Sequence, residues 1–250
     1  MAIPIETSKS HFVAFTAIFG AMAAVLDLVL TGEFYSGVWD SWIFLLSPIA
    51  GVILGPLGGF VAIGIGSVVG HIIIFRDFAE LLFMIGAPIG AAMAGLVFQK
   101  RWKPVLSFYS LLLIGYFIYP VSWTLPIIGI WDILVGFGFV VMFSILSNRN
   151  WWSKTTEKKD LLNLVFCTVI GLESDVLTRV FILVPGQMYW LLYGMTPEVL
   201  QGLWLLAGII TPIKVIMATI VMVTIGYQVL KALPNYTMQA SEVGELEEQK

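Results

Sequence analysis

The run WIFLLSPIAGVILGPLGGFVAIGIGSVVGH, residues 42–71, decides the fold. It is apolar almost throughout, which suits the hydrocarbon of a bilayer. Residues 41–54 would rise only about 21 Å as a helix, whereas the hydrocarbon core is about 30 Å thick. We therefore expect this segment either to be tilted or to be joined to the next segment by a tight turn at Gly55-Pro56-Leu57-Gly58-Gly59.

The composition of the whole chain agrees with a membrane protein. Its 250 residues are 59% hydrophobic and only 12% charged, which is too little polar surface to cover a globule of this size in water. The apolar segments are residues 11–31, 41–54, 57–75, 79–98, 104–122, 128–147, 161–184 and 200–230. The sequence therefore predicts an all-α, multi-pass transmembrane helical bundle with six to eight membrane segments.

The basic residues predict the orientation. If the segments alternate, ten of the thirteen lie on one side: Lys9, Lys100, Arg101, Lys103, Arg149, Lys154, Lys158, Lys159, Lys231 and Lys250. Basic loops face the cytoplasm, so both termini are expected there, with the protein in the cell membrane. We expect residues 1–234 to form one transmembrane domain, and residues 235–250 to be an acidic, disordered cytoplasmic tail.

Four charged residues lie inside the last two apolar segments: Glu173, Asp175, Arg179 and Lys214. Each is costly in hydrocarbon unless it is paired or faces a wet cavity. Asp175 and Arg179 are four residues apart and can pair along one helix face. Glu173 and Lys214 are candidates for a pair between helices. Such pairs either hold helices together or offer charge to a polar ligand.

Further candidates lie toward the predicted outer face, where aromatic and polar residues can form a ligand pocket and its cover. They are Trp39, Asp40, Gln187 and Trp190 in the outer segments, with Asp27 and His71 one turn from the outer ends of their helices. An ordinary aromatic belt, or charged side chains that reach the interface, would use the same residue types.

Small residues form a stripe along the first helix. Ala14, Ala17, Ala21 and Ala24 recur at spacings of three and four, which places them on one face. Small side chains let helix backbones approach closely in a membrane. We therefore expect tight packing there, against either another helix of this chain or a partner subunit.

Several of these stretches resemble one family. The Gly-Pro turn before a glycine-rich helix in residues 42–71 is similar to the second and third helices of the substrate-binding S components of energy-coupling factor vitamin transporters. VIGLESDVLTRVFILV (169–184) and IITPIKVIMATIVMVTIGYQVL (209–230) resemble the closing helices of archaeal-type members. Ala17 and Ala21 match the Ala-x-x-x-Ala surface that docks on the family's coupling subunit.

The resemblance implies a function. A small vitamin or related micronutrient would bind near the outer face, covered by the loop after the first helix. A transmembrane coupling subunit and cytoplasmic ATPases would be the partners, and rotation of the whole subunit would carry the solute inward. The sequence has no G-x-x-x-x-G-K-[ST] loop, which agrees with ATP hydrolysis by partner subunits.

Two other classes of function remain open. A proton-coupled secondary transporter or channel would use the buried carboxylates without partners. The chain can also be a non-catalytic subunit of another membrane complex. An intramembrane enzyme is the weakest case, because no paired histidines, nucleophile with a base or metal-ligand spacing occurs. We therefore expect no enzymatic activity, no cofactor or metal, and no nucleic-acid partner.

Overall fold

The computed structural model describes residues 9–29, 41–75, 78–153 and 156–233, which fold as a bundle of α-helices. The helices are α1 (Lys9–Val29), α2 (Ile43–Ile73), α3 (Phe78–Phe83), α4 (Gly86–Phe98), α5 (Trp102–Ile118), α6 (Trp131–Asn148), α7 (Glu157–Leu183), α8 (Met188–Leu191), α9 (Pro197–Val221) and α10 (Tyr227–Ala232). Short 3-10 turns lie at Pro120–Thr124, Ile127–Gly129 and Trp151–Ser153, and a π-helical turn, Met222–Gly226, joins α9 to α10.

Six helical stretches in this part of the chain are long and apolar enough to cross a membrane. They are Ser10–Leu28, Ile43–Ile73, Glu80–Phe98, Trp131–Asn148, Glu157–Leu183 and Pro197–Ala232. Helix α5 is also apolar but has only 17 residues. The protein is therefore an all-α, multi-pass membrane protein, as the sequence predicts.

Helix α2 is bent into a hairpin at Gly55. This residue has φ 76° and ψ 177°, a conformation that residues with a Cβ rarely adopt. A Cβ on Gly59 would lie 2.6 Å from the Cα of Gly51, although a straight helix would hold these two residues about 12 Å apart. Of the two alternatives expected for residues 41–54, a tilted segment or a tight turn at residues 55–59, the tight turn is confirmed. We call residues 43–54 the first arm and residues 56–73 the second arm.

The first arm packs against α4 with almost no side chain between the two backbones. A Cβ on Gly95 would lie 2.6 Å from the carbonyl oxygen of Gly51 and 2.7 Å from the nitrogen of Pro56. The Ser47 hydroxyl donates a hydrogen bond of 2.9 Å to the carbonyl of Ala87. These contacts fix the two helices in a parallel register.

The second arm runs parallel to α1. Their contacts pair Phe12 with Gly58, Ala23 with Gly66, and Asp27 with Gly70. Glycine on the second arm removes the side chain at the last two contacts, which allows the helices to approach closely. Asp27 is thereby held beside the end of the second arm.

Helix α7 is the central helix. About 72% of its membrane span is buried, compared with 28–56% for the other candidate spans. It packs through Gly171 on Gly90 of α4, and through Phe166 on Phe143 of α6. Because protein surrounds most of α7, its buried charged residues Glu173, Asp175 and Arg179 face neighbouring helices rather than lipid.

The loops at one end of the bundle are basic. Lys100 Nζ lies 3.9 Å from the ring centroid of Trp152, and Lys231 Nζ lies 3.1 Å from a carboxylate oxygen of Glu157. Lys159 donates a hydrogen bond of 2.6 Å to the carbonyl of Trp151. We call this the basic end. Its contacts bring together four loops and helix ends that alternation of the segments predicts to lie on one side.

We expect Gly51→Ala to destabilise the protein by about 1–3 kcal/mol, because the new methyl group would overlap the backbone of Ala91 and overpack the helix crossing. The matched control is Gly138→Ala, where a Cβ would meet no atom within 4 Å. Thermal unfolding in detergent, monitored by size-exclusion chromatography, measures the stability of both variants. Equal stability of the two variants would contradict the close crossing.

Candidate functional site

A charged cavity of about 60 Å³ lies at the end of the bundle opposite the basic end. At about 10–15 Å³ for each water, it has room for about four to six waters. Its polar lining consists of Asp27, Ser41, Ser67, Glu80, Asp175, Arg179, Thr211 and Lys214. Three carboxyl groups and two cations therefore converge from α1, α3, α7 and α9 on one small space inside the bundle.

Asp175 and Arg179 form a bidentate ion pair on α7. Arg179 Nε donates to Oδ1 of Asp175, and Arg179 Nη2 donates to Oδ2 over 3.1 Å. Both side chains are buried, and the pairing predicted from their spacing is confirmed. A Cβ on Gly86 would lie 2.7 Å from Arg179 Nε, so glycine at this position of α4 leaves room for the pair.

Lys214 approaches the same cavity from α9. Its Nζ lies 5.8 Å from the ring centroid of Phe44, and its charge interacts with that of Asp175. Glu173 faces the other side of α7, toward Gly136 and Tyr109. The hypothesis of a Glu173–Lys214 pair is therefore wrong, because the helical position of Glu173 points it away from α9.

Two further carboxyl groups are held around the end of the second arm of α2. The hydroxyl of Ser41 donates a hydrogen bond of 2.7 Å to Asp27. Glu80 Oε2 lies 3.5 Å from Nδ1 of His71. Asp27 and Glu80 thus bring negative charge from α1 and α3, whereas Arg179 and Lys214 bring positive charge from α7 and α9. The cavity is dipolar.

The remaining candidates from the sequence lie apart from this lining. Gln187 lies just before α8 and Trp190 lies within it. Both are exposed, and neither lines the cavity. His71 is buried and adjoins the cavity through its contact with Glu80. Trp39 and Asp40 lie outside the described residues.

The alanine stripe of α1 lines an open, apolar groove between α1 and the second arm of α2. The groove has a volume of about 600 Å³, and Ala17, Ala21 and Ala24 contribute to it. Ala14, Ala17 and Ala21 are exposed, whereas Ala24 is buried. Within the described chain no other helix covers Ala17 and Ala21, and α1 contacts the second arm mainly through its adjacent face.

A second polar cluster, which sequence reasoning missed, surrounds Glu173. A Cβ on Gly136 would lie 2.7 Å from Glu173 Cγ and 2.6 Å from the hydroxyl oxygen of Tyr109. Asp132 is one turn before Gly136 and is 5% exposed. The one clue to this cluster in the sequence is Asp132, an acidic residue that, like Asp27, lies just inside the end of an apolar segment. No pattern along the chain links it to Glu173.

No group of three or more His, Cys, Asp or Glu side chains among the described residues is placed to hold a metal ion. The chain matches no known protein-family model, no curated protein and no solved structure.

We expect Asp175→Asn to lower the free energy of unfolding by about 3–5 kcal/mol, because it leaves the buried Arg179 charge without its carboxylate. The double variant Asp175→Asn with Arg179→Gln should be less destabilised than the sum of the single variants. Thermal unfolding measures all three.

The control for this prediction is Glu157→Gln, which breaks the exposed pair with Lys231 and should change stability little. If Asp175→Asn and Glu157→Gln had the same small effect, a tightly packed, buried pair at Asp175 and Arg179 would be excluded.

Proposed function

We propose that this protein is a membrane-embedded solute-binding subunit of an ATP-driven importer of a vitamin-type micronutrient. The observation that carries this proposal is the cavity, where five ionisable side chains from four helices meet in an apolar bundle. Ionisable residues inside a membrane are costly, and where they converge on a cavity they typically mark a path or a binding site for solute.

The charges of the cavity favour a solute that carries both signs of charge. Asp27 and Glu80 suit a positively charged group, and Arg179 and Lys214 suit a carboxylate or phosphate. Phe44 adds an aromatic surface. The volume of about 60 Å³ accommodates a small zwitterion or the charged part of a larger molecule. A complete vitamin molecule is larger than this cavity, so its binding would require the side chains of the cavity wall to move outward.

Orientation follows from the basic end. With that end in the cytoplasm of the cell, both termini are cytoplasmic and the cavity lies toward the outer face of the cell membrane. A solute would then enter from outside, which is the direction that uptake requires.

Energy for uptake would come from partners. The sequence has no phosphate-binding loop of the G-x-x-x-x-G-K-[ST] type, so separate cytoplasmic ATPases would supply ATP hydrolysis. The groove at Ala17 and Ala21 is where a transmembrane coupling subunit would dock, because small residues admit a close helix contact.

A proton-coupled secondary transporter is the second candidate. The buried carboxyl groups of Glu173 and Asp132 favour it. Such a transporter would work as a single chain in proteoliposomes under a pH gradient, whereas the importer subunit would need its partners and ATP.

Native mass spectrometry of the purified protein tests the binding site. We expect a retained small molecule in the wild type, and on the order of tenfold less in Lys214→Gln, because a cation that faces the solute is lost. Lys231→Gln, at the basic end, is the matched control and should retain the solute fully. A retained molecule that is unaffected by Lys214→Gln would overturn the assignment of the cavity.

Co-purification tests the docking groove. We expect Ala17→Leu with Ala21→Leu to lose the associated subunits while keeping the retained solute, because leucine side chains fill the groove. Ile18→Leu with Met22→Leu alters exposed residues outside the groove and should keep the subunits. Loss of solute together with the subunits would count against separate docking and binding surfaces.

A further inference from the structure

Glu173 is a buried carboxyl group without a structural partner for one of its oxygens. The residue is 3% exposed, and no hydrogen-bond partner among the described residues reaches its Oε2. The side chain is directed to the space beside Gly136, where glycine leaves just enough room for it and for the Tyr109 hydroxyl. A buried carboxyl oxygen without a hydrogen-bond partner is energetically costly, so we expect a ligand to be bound to it.

Two polar groups near Glu173, the Tyr109 hydroxyl and the Asp132 carboxylate, have other hydrogen-bond partners. The Tyr109 hydroxyl donates its hydrogen bond to the carbonyl of Ile133 over 2.7 Å. Asp132 accepts the N–H of Ile133 over 2.9 Å and has no proton to offer when it is ionised.

The charged groups around Glu173 are mostly acidic. Asp132 from α6 and Asp175 from α7 itself both act on Glu173 with negative charge. Arg179 and Lys214 face the cavity on another side of α7, where Arg179 is bound to Asp175. Gly86, Gly90 and Ala94 of helix α4 contact α7 in this region, and none of the three carries a charge.

Two carboxylates that are close together and removed from water cannot both stay ionised. Each would lose its hydration, and the two negative charges would repel each other in a medium of low dielectric constant. Binding one proton removes the repulsion and turns one acceptor into a donor. Paired carboxyl groups at protein sites commonly hold a single proton between them.

We propose that Glu173 and Asp132 form a proton-binding site inside the bundle, separate from the charged cavity, in which the two carboxyl groups share one exchangeable proton. Because Glu173 and Asp175 interact electrostatically, release of this proton places negative charge beside the Asp175–Arg179 pair. Proton binding is thereby linked to occupancy of the cavity, in both directions. Only the linkage between proton binding and the cavity rests on the proposed function; the proton-binding site itself does not.

Infrared spectroscopy of the full chain in lipid nanodiscs tests the site without any solute. The wild type should show the C=O stretching band of a protonated carboxyl group at neutral pH, with the expected shift in D₂O. Glu173→Gln should remove this band, and Glu198→Gln, at an exposed position, should leave it unchanged. A wild type without the band, or a Glu173→Gln spectrum that keeps it, would overturn the proposal.

The pH dependence of unfolding is a second readout. The folded state holds a proton that the unfolded chain has already lost at neutral pH, so stability falls as pH rises. One proton changes the unfolding equilibrium constant by up to tenfold per pH unit. Both Glu173→Gln and Asp132→Asn should reduce this slope, and Glu198→Gln should not. Identical slopes in the wild type and in both variants would refute the shared proton, whether or not the cavity binds a solute.

Discussion

Helices within a bilayer gain little from the hydrophobic effect, so they depend on close van der Waals contact with one another. In this protein that contact is concentrated where Gly51, Gly59 and Gly95 bring the two arms of α2 and helix α4 together. The crossing positions α4, and Gly86 and Gly90 of α4 then set the distance to α7. The placement of Asp175 and Arg179 at the cavity therefore depends on glycines that do not line the cavity.

The features that the sequence predicts correctly are local ones. The tight turn that forms the hairpin is one of the two arrangements expected from the sequence, because a glycine–proline pair favours a turn over a continuous helix. The pairing of Asp175 with Arg179 follows from their spacing on one helix. The membrane character follows from composition, which needs no knowledge of packing.

The features that sequence reasoning missed depend on distant elements. Glu173 faces α5 and α6 because of how α7 packs, and nothing between Tyr109 and Glu173 along the chain reports this juxtaposition. Gln187, just before α8, has a φ of 59°, a left-handed conformation that glutamine rarely adopts and that no turn motif predicts. Its position outside the cavity, like that of Trp190, was therefore not predictable.

The short first arm of α2 has an electrostatic consequence. It begins at Ile43, which lines the cavity together with Ser41 and Phe44. The first amide groups of a helix carry a partial positive charge from the aligned peptide dipoles. The cavity therefore receives a positive field from the backbone as well as from Arg179 and Lys214. Part of the positive field inside the cavity is built into the hairpin itself and does not depend on any side chain.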